Sequence, residues 1–579
     1  MKLASFVRDG AIDCGALLEG GVAVFDGHPA LGAMPSPRRL FAILAMEADR
    51  RRELNDWAGR GRRIAIDSVK MLPAVPLCPL YFYLHGNNPT LMKRQGGPGW
   101  RFPRVPVPRV RSFSTFSGHD WDVLVPPGAR LSMGPELGVV IGRPASRVGP
   151  EKAIEHIAAL VCTNDLCTTD LHEEWRDKSN PASETDQLQG MDTLFKAADN
   201  NGGVGPWLVT AEELDDQMRG RVAPILMQRY ADRHLAAWIY HRLMTTRLDG
   251  AVVDETHASS YLLAPEWLVA YLSRFMTLPT GAVLGFGAAG WDALPTDLPA
   301  EAGSARVCDL ELQDVGAMRQ VARRMDPAQR DESPFLRGWR SRGIDPLAAG
   351  FERPGPAIWA MQGNYPEVQE SEGRPPVRGL HPLLYPPGAL GAEGTPIVLP
   401  PCAMTIKCSV QLAGIIGDKA AYHAEGPAAL KCLSHVALLI SIRDSSIYEA
   451  LKEPSIYEWR AANWITRCGD GYFRLGPHIP LAQAGNLDDL TLSLELPGSP
   501  AVAYSTSRHF YGLERAITAI TRLITLLPGD VVSLGPVGPE LAIGPDTKAT
   551  WIRARGSWGA QMELSFDDQR NPAAREKQR

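Results

Sequence analysis

The segment from Lys196 to Trp207 carries a residue type suited to binding an anionic oxygen. It reads KAADNNGGVGPW, with Lys196 three residues before Asp199, followed by two asparagines and two glycines. So polar and glycine-rich a run does not suit the core, and a simple surface loop does not need Lys196 and Trp207 at a fixed spacing. A lysine ammonium here could stabilise an enolate or a carboxylate. The alternative is a surface ion pair between Lys196 and Asp199, with Trp207 packed in the core.

The elements around this segment occur twice in the chain. Three pairs of similar segments keep the same order: 151–170 with 428–447, 204–210 with 475–481, and 272–281 with 520–529. The first pair aligns His156 with His435 and Asp165 with Asp444. Because chance matches would not keep this order, we infer a duplication of about 200 residues per copy.

Each copy is predicted to consist mainly of strands, with few helices. Pro150 and Pro427 each follow a glycine, at a position suited to the first turn of a helix. The strand that follows this turn ends at Asp165 in one copy and at Asp444 in the other. Further expected strands are 135–142, 410–417 and 490–498, and the expected amphipathic helices are 264–278 and 511–527.

The composition favours a multidomain cytoplasmic protein. The 579 residues carry 60 basic and 65 acidic side chains without a basic stripe, so nucleic acid is not an expected partner. No apolar run is long enough to span a membrane, and the start MKLASFVRDG has no apolar signal core. The nine scattered cysteines form no Cys-x-x-Cys pair, which indicates reduced thiols.

The order of the motifs resembles the fumarylacetoacetate hydrolase superfamily. IDSVKMLPAVP (66–76), ELGVVIG, TNDLCTTD, KAADNNGGVGPWLVT and YLSRFMTLPTG follow in the family's order, and a weaker second copy covers approximately 357–545. The tandem arrangement resembles bifunctional decarboxylase/isomerase members that act on homoprotocatechuate breakdown products. The resemblance implies a mostly β (α+β) fold, with two tandem β-roll domains that form an intrachain pseudo-dimer.

The repeat and the resemblance together predict five segments. They are a small N-terminal domain (1–75), a first repeat domain (76–305), a connector or insertion (306–356), a second repeat domain (357–560) and a disordered tail (561–579).

The resemblance also implies Mg²⁺ or Mn²⁺ held by a Glu-x-Glu pair on one strand and an Asp on the next. Residues i and i+2 of a strand share a face, and hard divalent ions prefer oxygen ligands. In the first copy Glu136 and Asp165 are in place, but Gly134 stands at the first Glu position. In the second copy the corresponding residues are Ser409, Gln411 and Asp444. A weakly held ion is therefore expected in the first domain and is doubtful in the second. Asp165 could otherwise cap the turn after its strand.

The second copy also keeps a cation. The resemblance gives Lys196 the role of a lysine that binds the substrate oxyanion, and Arg467 takes its place in the second copy. Arg467 could hold a carboxylate but could not act as a base, because it does not lose its proton. The His-x-x-Glu pair of many hydrolase members is absent, which leaves His172 as a candidate acid–base group, a replacement ligand or a solvated loop residue. His156 and His435 are expected to be packing positions.

These observations predict an enzyme of the lyase or isomerase type that acts on a small keto acid or another enolisable carbonyl compound. Lys196 would stabilise the enolate and His172 would move protons, with Asp199 and Arg467 as further catalytic candidates, for decarboxylation, isomerisation, dehydration or cyclisation rather than hydrolysis. Two alternatives stay open: a metal-free biosynthetic enzyme, and a non-catalytic protein that binds a ligand or a partner. The partners expected are a small-molecule substrate and no membrane, for a monomeric pseudo-dimer or a homodimer.

Overall fold

The central strands of this fold are apolar over almost their whole length. IAALVCTND (157–165) is buried at every residue, and so are the last nine residues of LSHVALLISIRD (433–444). Near-continuous apolar runs of this kind are typical of strands covered on both faces. These two strands carry the aspartates at which the sequence places the functional sites.

The computed structural model describes residues 1–88, 105–169, 193–218, 242–288, 295–296, 298–371, 373, 380–445 and 456–570. The chain divides into two units, one within 1–171 and 196–354 and the other within 172–195 and 355–579.

The first unit is built mainly from strands. Its described strands are β1 (Lys2–Arg8), β2 (Ala11–Leu18), β3 (Gly21–Val24), β4 (Arg63–Ile64), β5 (Lys70–Met71), β6 (Tyr81–His85), β7 (Val107–Arg111), β8 (Phe116–Ser117), β9 (Trp121–Val125), β10 (Arg130–Ser132), β11 (Pro135–Ile141), β12 (Ile157–Asp165), β13 (Cys167–Thr169), β14 (Gly202–Thr210), β15 (Leu243–Leu248), β16 (Ala251–His257), β17 (Val283–Gly285), β18 (Pro295–Thr296), β19 (Ala305–Leu312) and β20 (Gly316–Arg324). Its described helices are α1 (Ser36–Leu44), α2 (Ala48–Gly59), α3 (Pro150–Ala153), α4 (Ala211–Met218), α5 (Pro265–Ser273) and α6 (Pro334–Arg340).

Three sheets organise these strands. The largest has the order β4-β3-β2-β1-β14-β12-β11-β17-β6-β7, with β5 on β1 and β8 on β14. A five-stranded sheet has the order β16-β15-β19-β20-β9, and a three-stranded sheet has the order β13-β10-β18.

The N-terminal segment is not the separate domain that the sequence predicts. Strand β1 pairs antiparallel with β14, with Lys2 opposite Val209. Leu3, Phe25 and Leu40 lie in one hydrophobic cluster with Val161 and Leu208 of the central strands. Residues 1–75 therefore extend the first unit's main sheet and share its core.

The second unit repeats this plan with fewer strands in its described part. Its described strands are β21 (Ile358–Met361), β22 (Pro382–Tyr385), β23 (Ile397–Leu399), β24 (Ile406–Ile416), β25 (Leu433–Asp444), β26 (Phe473–Leu475), β27 (Ile479–Pro480), β28 (Thr491–Glu495), β29 (Val502–Ser505), β30 (Val531–Ser533), β31 (Leu541–Ile543), β32 (Trp551–Gly556) and β33 (Gln561–Asp568). Its described helices are α7 (Pro366–Ser371), α8 (Pro427–Lys431), α9 (Ile456–Ile465) and α10 (Leu513–Thr521).

The strand orders of the two units match. In the second unit the order β22-β21-β30-β24-β25-β26 corresponds to β7-β6-β17-β11-β12-β14 of the first, with the same parallel and antiparallel pairs. The order β23-β33-β32-β28-β29 likewise corresponds to β9-β20-β19-β15-β16. The mostly β fold with two tandem domains is confirmed.

This correspondence corrects two boundaries drawn from the sequence. Residues 306–324, expected in a connector, form β19 and β20, which complete the first unit's five-stranded sheet. Residues 561–568, expected in a disordered tail, form β33, the equivalent of β20 in the second unit's sheet. Residues 571–579 lie outside the described part. None of the helices in the described ranges has the length and apolar character needed to cross a bilayer.

Candidate functional site

Asp165, at the end of β12, lies between two buried cations. Its Oδ1 accepts a hydrogen bond from the Arg111 guanidinium, and its Oδ2 accepts one from the Lys196 ammonium. Arg111 also donates to the backbone carbonyl of Lys196. All three residues are at most 5% exposed. We call these three residues the Asp165 cluster.

The Asp165 carboxylate is ionised in these surroundings. Burial acts to raise its pKa, but the charges of Lys196 and Arg111 and the hydrogen bond from Lys196 outweigh it, so the pKa lies below the usual value. Burial without the two cations would favour the neutral acid.

The pairing of β12 with β14 brings Lys196 to this point. Asp165 stands opposite Gly202, six residues after Lys196, and the intervening loop returns to the end of β12. The backbone N–H of Leu166 donates to the Asn201 carbonyl at 3.2 Å, and the Asn201 amide donates to the Thr168 hydroxyl at 3.0 Å. The polar, glycine-rich character of KAADNNGGVGPW thus serves a tight turn that directs a lysine inward.

Two tyrosines of β6 stack on the cations. Tyr81 and Tyr83 are two residues apart, so they share a face of the strand. The Arg111 guanidinium lies 5.6 Å from the Tyr81 ring centre and 4.7 Å from that of Tyr83, and the Lys196 ammonium lies 5.2 Å from that of Tyr83. Such cation–π contacts favour the charged forms in a site closed to water.

Glu136 is the second carboxyl group of this site. It is fully buried, and its Oε2 accepts from the Thr163 hydroxyl at 3.2 Å. Within the described residues its Oε1 has no hydrogen-bond partner. Burial and then the charge of Asp165 raise the pKa of Glu136 to about 8, although Arg111, Lys196 and Thr163 act to lower it.

Gly285 of β17 gives this carboxyl group its space. A Cβ atom on Gly285 would lie 2.3 Å from Oε2 of Glu136, closer than two such atoms approach. Only glycine at this position leaves room for the carboxyl group where it lies.

The described residues do not fit the divalent-ion site that the resemblance implies. Both oxygens of Asp165 already accept from cations, and Glu136 is mostly protonated at neutral pH. Gly134 provides no third ligand, and a Cβ there would lie 2.4 Å from that of Ala288. Across the described part of the chain, no three His, Cys, Asp or Glu side chains form a group that could hold a metal. The described residues thus place two cations, and no further carboxylate ligand, on the oxygens of Asp165.

The register of the second unit's strands identifies the equivalents of these residues. Gly138 stands opposite Gly285 and Ala413 opposite Ser533, so Glu136 corresponds to Gln411. Because Glu136 pairs with Thr163 and Gln411 with Leu439, the equivalent of Asp165 is Ser441.

The alignment of Asp165 with Asp444, made from the sequence, is therefore wrong by three residues. By the same register, Cys432 is the equivalent of His156, and Ala159 is the equivalent of His435. The Gly142 backbone N–H donates to the His156 carbonyl, as the Gly417 backbone N–H donates to the Cys432 carbonyl. The two histidines are not a repeated position. Asp444 accepts from the Met404 backbone N–H at 3.4 Å, beyond the equivalent site.

Neutral hydroxyl and amide groups fill the second unit's equivalent positions. The Ser409 and Ser441 hydroxyls are 2.8 Å apart, and the Gln411 amide donates to Ser441 at 2.8 Å. Ser533, at the position of Gly285, donates to the Gln411 carbonyl oxygen at 2.5 Å. The acidic groups of the first unit have thus been replaced by a mutually satisfied hydrogen-bond network.

Three comparisons with known proteins bear on this arrangement. The profile described as "Fumarylacetoacetate (FAA) hydrolase C-terminal" matches residues 85–322 and 357–564, more than half of the chain. The chain belongs to the fumarylacetoacetate hydrolase family. Both matches end within the strands β20 and β33, so the fumarylacetoacetate hydrolase domain of each unit includes its five-stranded sheet.

Individual relatives are distant. A provisionally named hydrolase of Burkholderia multivorans is 26% identical over 229 residues, 39% of this chain and 68% of that protein. An uncharacterized protein of Pyrococcus horikoshii is 29% identical over 205 residues, 34% of this chain and 84% of its own length. For further Burkholderia relatives the aligned part is 55% of their length.

Among solved structures, maleylpyruvate hydrolase from Sphingobium sp. SYK-6, in complex with manganese(II) and pyruvate, is similar to part of this chain. It is 17% identical, with a TM-score of 0.41, and the match covers 56% of this chain and all of that one. A likeness of this size gives no basis for transferring the ligand or the reaction.

The other residues predicted from the sequence lie in varied places. Asp199 accepts from the Ser333 hydroxyl and the Phe335 backbone N–H, both at 3.3 Å, at the start of α6. Trp207 is half-buried and donates to the Val315 carbonyl at 2.7 Å. His172 lies outside the described residues. The surface pairing of Lys196 with Asp199 does not occur, because Lys196 is buried against Asp165.

Sequence reasoning missed Arg111, Tyr81 and Tyr83. A signal was present, because a strand-like run YFYLH carries two tyrosines at period two, and VPRVR carries arginines at the same spacing. Charged residues inside an apolar strand pattern indicate a buried ionic site.

Proposed function

We propose that the first unit enolises a small keto acid, or another carbonyl compound with an anionic group, without a divalent ion. Two buried cations beside a carboxyl group with a raised pKa support this proposal. Fixed cations in a dry site stabilise developing negative charge more strongly than water does, so Lys196 and Arg111 are suited to a substrate carboxylate or enolate.

Glu136 is suited to moving the proton. Its Oε1 has no partner among the described residues, so it can accept or donate a hydrogen bond to a bound substrate. A pKa near operating pH allows one group to act as base and then as acid. Glu136 would remove a proton from the carbon beside the carbonyl, and the electron pair of that C–H bond would move into the enolate. Lys196 and Arg111 would hold the enolate oxygen while the proton returned to the same or another carbon.

Isomerisation and decarboxylation both pass through such an enolate. In decarboxylation the enolate forms by loss of CO₂, and Glu136 then supplies the proton. The single observation that carries the proposal is the buried Glu136 with an unpaired oxygen beside Lys196 and Arg111. A protein that binds a keto acid without turnover is the competing interpretation, and the experiment below separates the two.

The test is deuterium exchange at the carbon beside the carbonyl of pyruvate, 2-oxobutanoate and oxaloacetate, followed by NMR in D₂O. The full chain is first freed of metal with a chelator. We expect wild-type protein to catalyse exchange, Glu136→Gln to slow it at least about 100-fold, and Lys196→Met to slow it about 100-fold or more.

A matched control is Glu352→Gln, which changes an exposed carboxylate paired with Arg38 at the surface. This variant should exchange at the wild-type rate. Exchange that requires added Mn²⁺ or Mg²⁺ would contradict the metal-free proposal. Saturable binding of these acids with no exchange would support the non-catalytic interpretation.

A further inference from the structure

Two histidines lie side by side on one face of the second unit's main sheet. His435 is near the start of β25, and His478 immediately precedes β27, which pairs antiparallel with β25. Because His435 stands opposite Pro480, the two histidines are diagonal neighbours on the same face of this strand pair. Their ring centres are 5.9 Å apart, and their ring planes are inclined by 45°. We call these two residues the His435 pair.

The first unit has apolar side chains at the positions of the His435 pair. By strand register, Ala159 is the equivalent of His435, and Leu208 is the equivalent of His478. Ala159 and Leu208 are buried in the cluster that residues 1–75 complete. The described part of the second unit has no counterparts of β1 to β4 on this face, and there His435 is half-buried and His478 is exposed. Exposure explains why polar residues stand here, but it does not explain two adjacent imidazoles.

A chain of hydrogen bonds fixes the proton on one ring nitrogen of neutral His435. The Ser434 hydroxyl donates to the Ile415 carbonyl at 3.4 Å, so its oxygen accepts from Nδ1 of His435 at 2.9 Å. Nδ1 therefore carries the proton, and Nε2 carries the lone pair. Histidines that bind metals have this arrangement, in which the other ring nitrogen donates to a neighbouring oxygen and so orients the ring.

The distance between the two rings suits one ion bound between them. A Zn–N bond of about 2.0 Å and a ring centre roughly 1.2 Å behind the nitrogen place each ring centre about 3.2 Å from the ion. Two rings at a tetrahedral angle would then have centres about 5.2 Å apart, and two rings on opposite sides of the ion about 6.4 Å apart. The observed separation of 5.9 Å lies between these limits.

We propose that the His435 pair binds a late first-row divalent ion of the Zn²⁺, Ni²⁺ and Cu²⁺ class, which joins β25 to β27. Imidazole nitrogen suits these ions, whereas Mg²⁺ and Mn²⁺ prefer oxygen. Among the described residues no third His, Cys, Asp or Glu side chain joins the pair to form a metal group, so water would fill the remaining positions of the ion. The inference goes beyond the proposed function and does not depend on it, because both histidines belong to the second unit.

The test is isothermal titration calorimetry of the full chain with ZnCl₂, after removal of metal with a chelator. We expect wild-type protein to bind one more Zn²⁺ per chain than the double variant His435→Gln/His478→Gln. Ser434→Ala should weaken this binding about 10-fold, because it removes the acceptor that orients His435. His478→Gln alters only an exposed side chain, so it should fold and still weaken binding at least about 10-fold.

A matched control is His156→Gln in the first unit. His156 is a half-buried histidine whose Nδ1 lies 3.1 Å from the Arg143 carbonyl, and its loss should leave the number of bound Zn²⁺ ions and their affinity unchanged. Zn²⁺ should also raise the unfolding temperature of wild type saturably, with a smaller rise in the double variant. The same number of Zn²⁺ ions bound with the same affinity by wild type and the double variant, or no Zn²⁺ bound by wild type, would overturn the proposal.

Discussion

Glu136 and Glu540 are both buried glutamates beside two cations, yet their ionisation differs. Glu540 accepts directly from Arg443 and Arg467, and these charges outweigh the effect of burial and keep its pKa below the usual value. Glu136 accepts only from the neutral Thr163 hydroxyl among the described residues, because Asp165 has taken both cations. Direct hydrogen bonds from the cations therefore decide which carboxyl group is charged.

A stability prediction follows for Glu136. Its raised pKa means that the folded chain binds more protons than the unfolded chain between about pH 4.5 and pH 8. The contribution of Glu136 to the free energy of unfolding is fully present below this pH range and is lost as the pH rises through it. We expect the unfolding temperature of wild type to fall relative to Glu136→Gln between pH 5 and pH 8. Calorimetry of both proteins across this range tests it, and parallel curves would contradict it.

Glu540 should show the opposite dependence. Because its pKa is lowered in the folded chain, Glu540 stabilises the fold at pH values above its pKa in the unfolded chain. This stabilisation is lost as the pH falls through its pKa in the folded chain. At neutral pH, Glu540→Gln leaves two buried guanidiniums without their carboxylate, at a cost of about 3–5 kcal/mol in the free energy of unfolding. Denaturant unfolding would measure it. Glu563→Gln, which alters an exposed pair with Arg553, should cost less than about 1 kcal/mol.

At the scale of elements, two antiparallel strand pairs, β11–β12 and β24–β25, carry equivalent positions with different chemistry. In both pairs a β-bulge lies near the start of the second strand, and the register beyond the bulge is the same. The inward-facing residues of the two pairs therefore occupy equivalent positions. The change from Gly285 to Ser533 on the neighbouring strand matches the change from Glu136 to Gln411. Glycine leaves room for the carboxyl group, whereas serine supplies a donor to the amide.

The hydrogen-bond network of the second unit is expected to be structural. Ser441→Ala would remove the acceptor of the Gln411 amide and the partner of Ser409 in a buried site, which should cost about 1–3 kcal/mol. Ser499→Ala, on an exposed turn, should change the free energy of unfolding by less than about 0.5 kcal/mol. Urea unfolding of the two variants makes the comparison, and equal effects would refute the buried network.

At the scale of the whole molecule, the chain holds two domains of one fold with unequal chemistry. The first unit has the carboxyl groups and the second has neutral substitutes, so turnover is expected from the first unit alone. Glu136→Gln should leave less than about 1% of wild-type deuterium exchange per chain. A residual rate near half would show that the second unit has a turnover of its own.

The sequence by itself determined the duplication and the mostly β fold, and it singled out Lys196 while leaving a surface ion pair with Asp199 open. The order of the repeated segments, the apolar periodicity and the polar turn are local features, so a single sequence is enough to recognise them. It also identified the loss of the third carboxylate, because Gly134 has no side chain to offer a metal.

Only the tertiary structure decided which residues share a site. Arg111 lies 54 residues before Asp165 in the sequence. The two side chains meet because β7 and β12 belong to the same sheet. The equivalence of Asp165 with Ser441 depends on hydrogen-bond register across β24 and β25. Matching letters favoured Asp444, because a three-residue shift in an apolar strand leaves little trace in the sequence. The same pairing of strands joined residues 1–75 and 306–324 to the first unit, since strand edges are satisfied by partners remote along the chain.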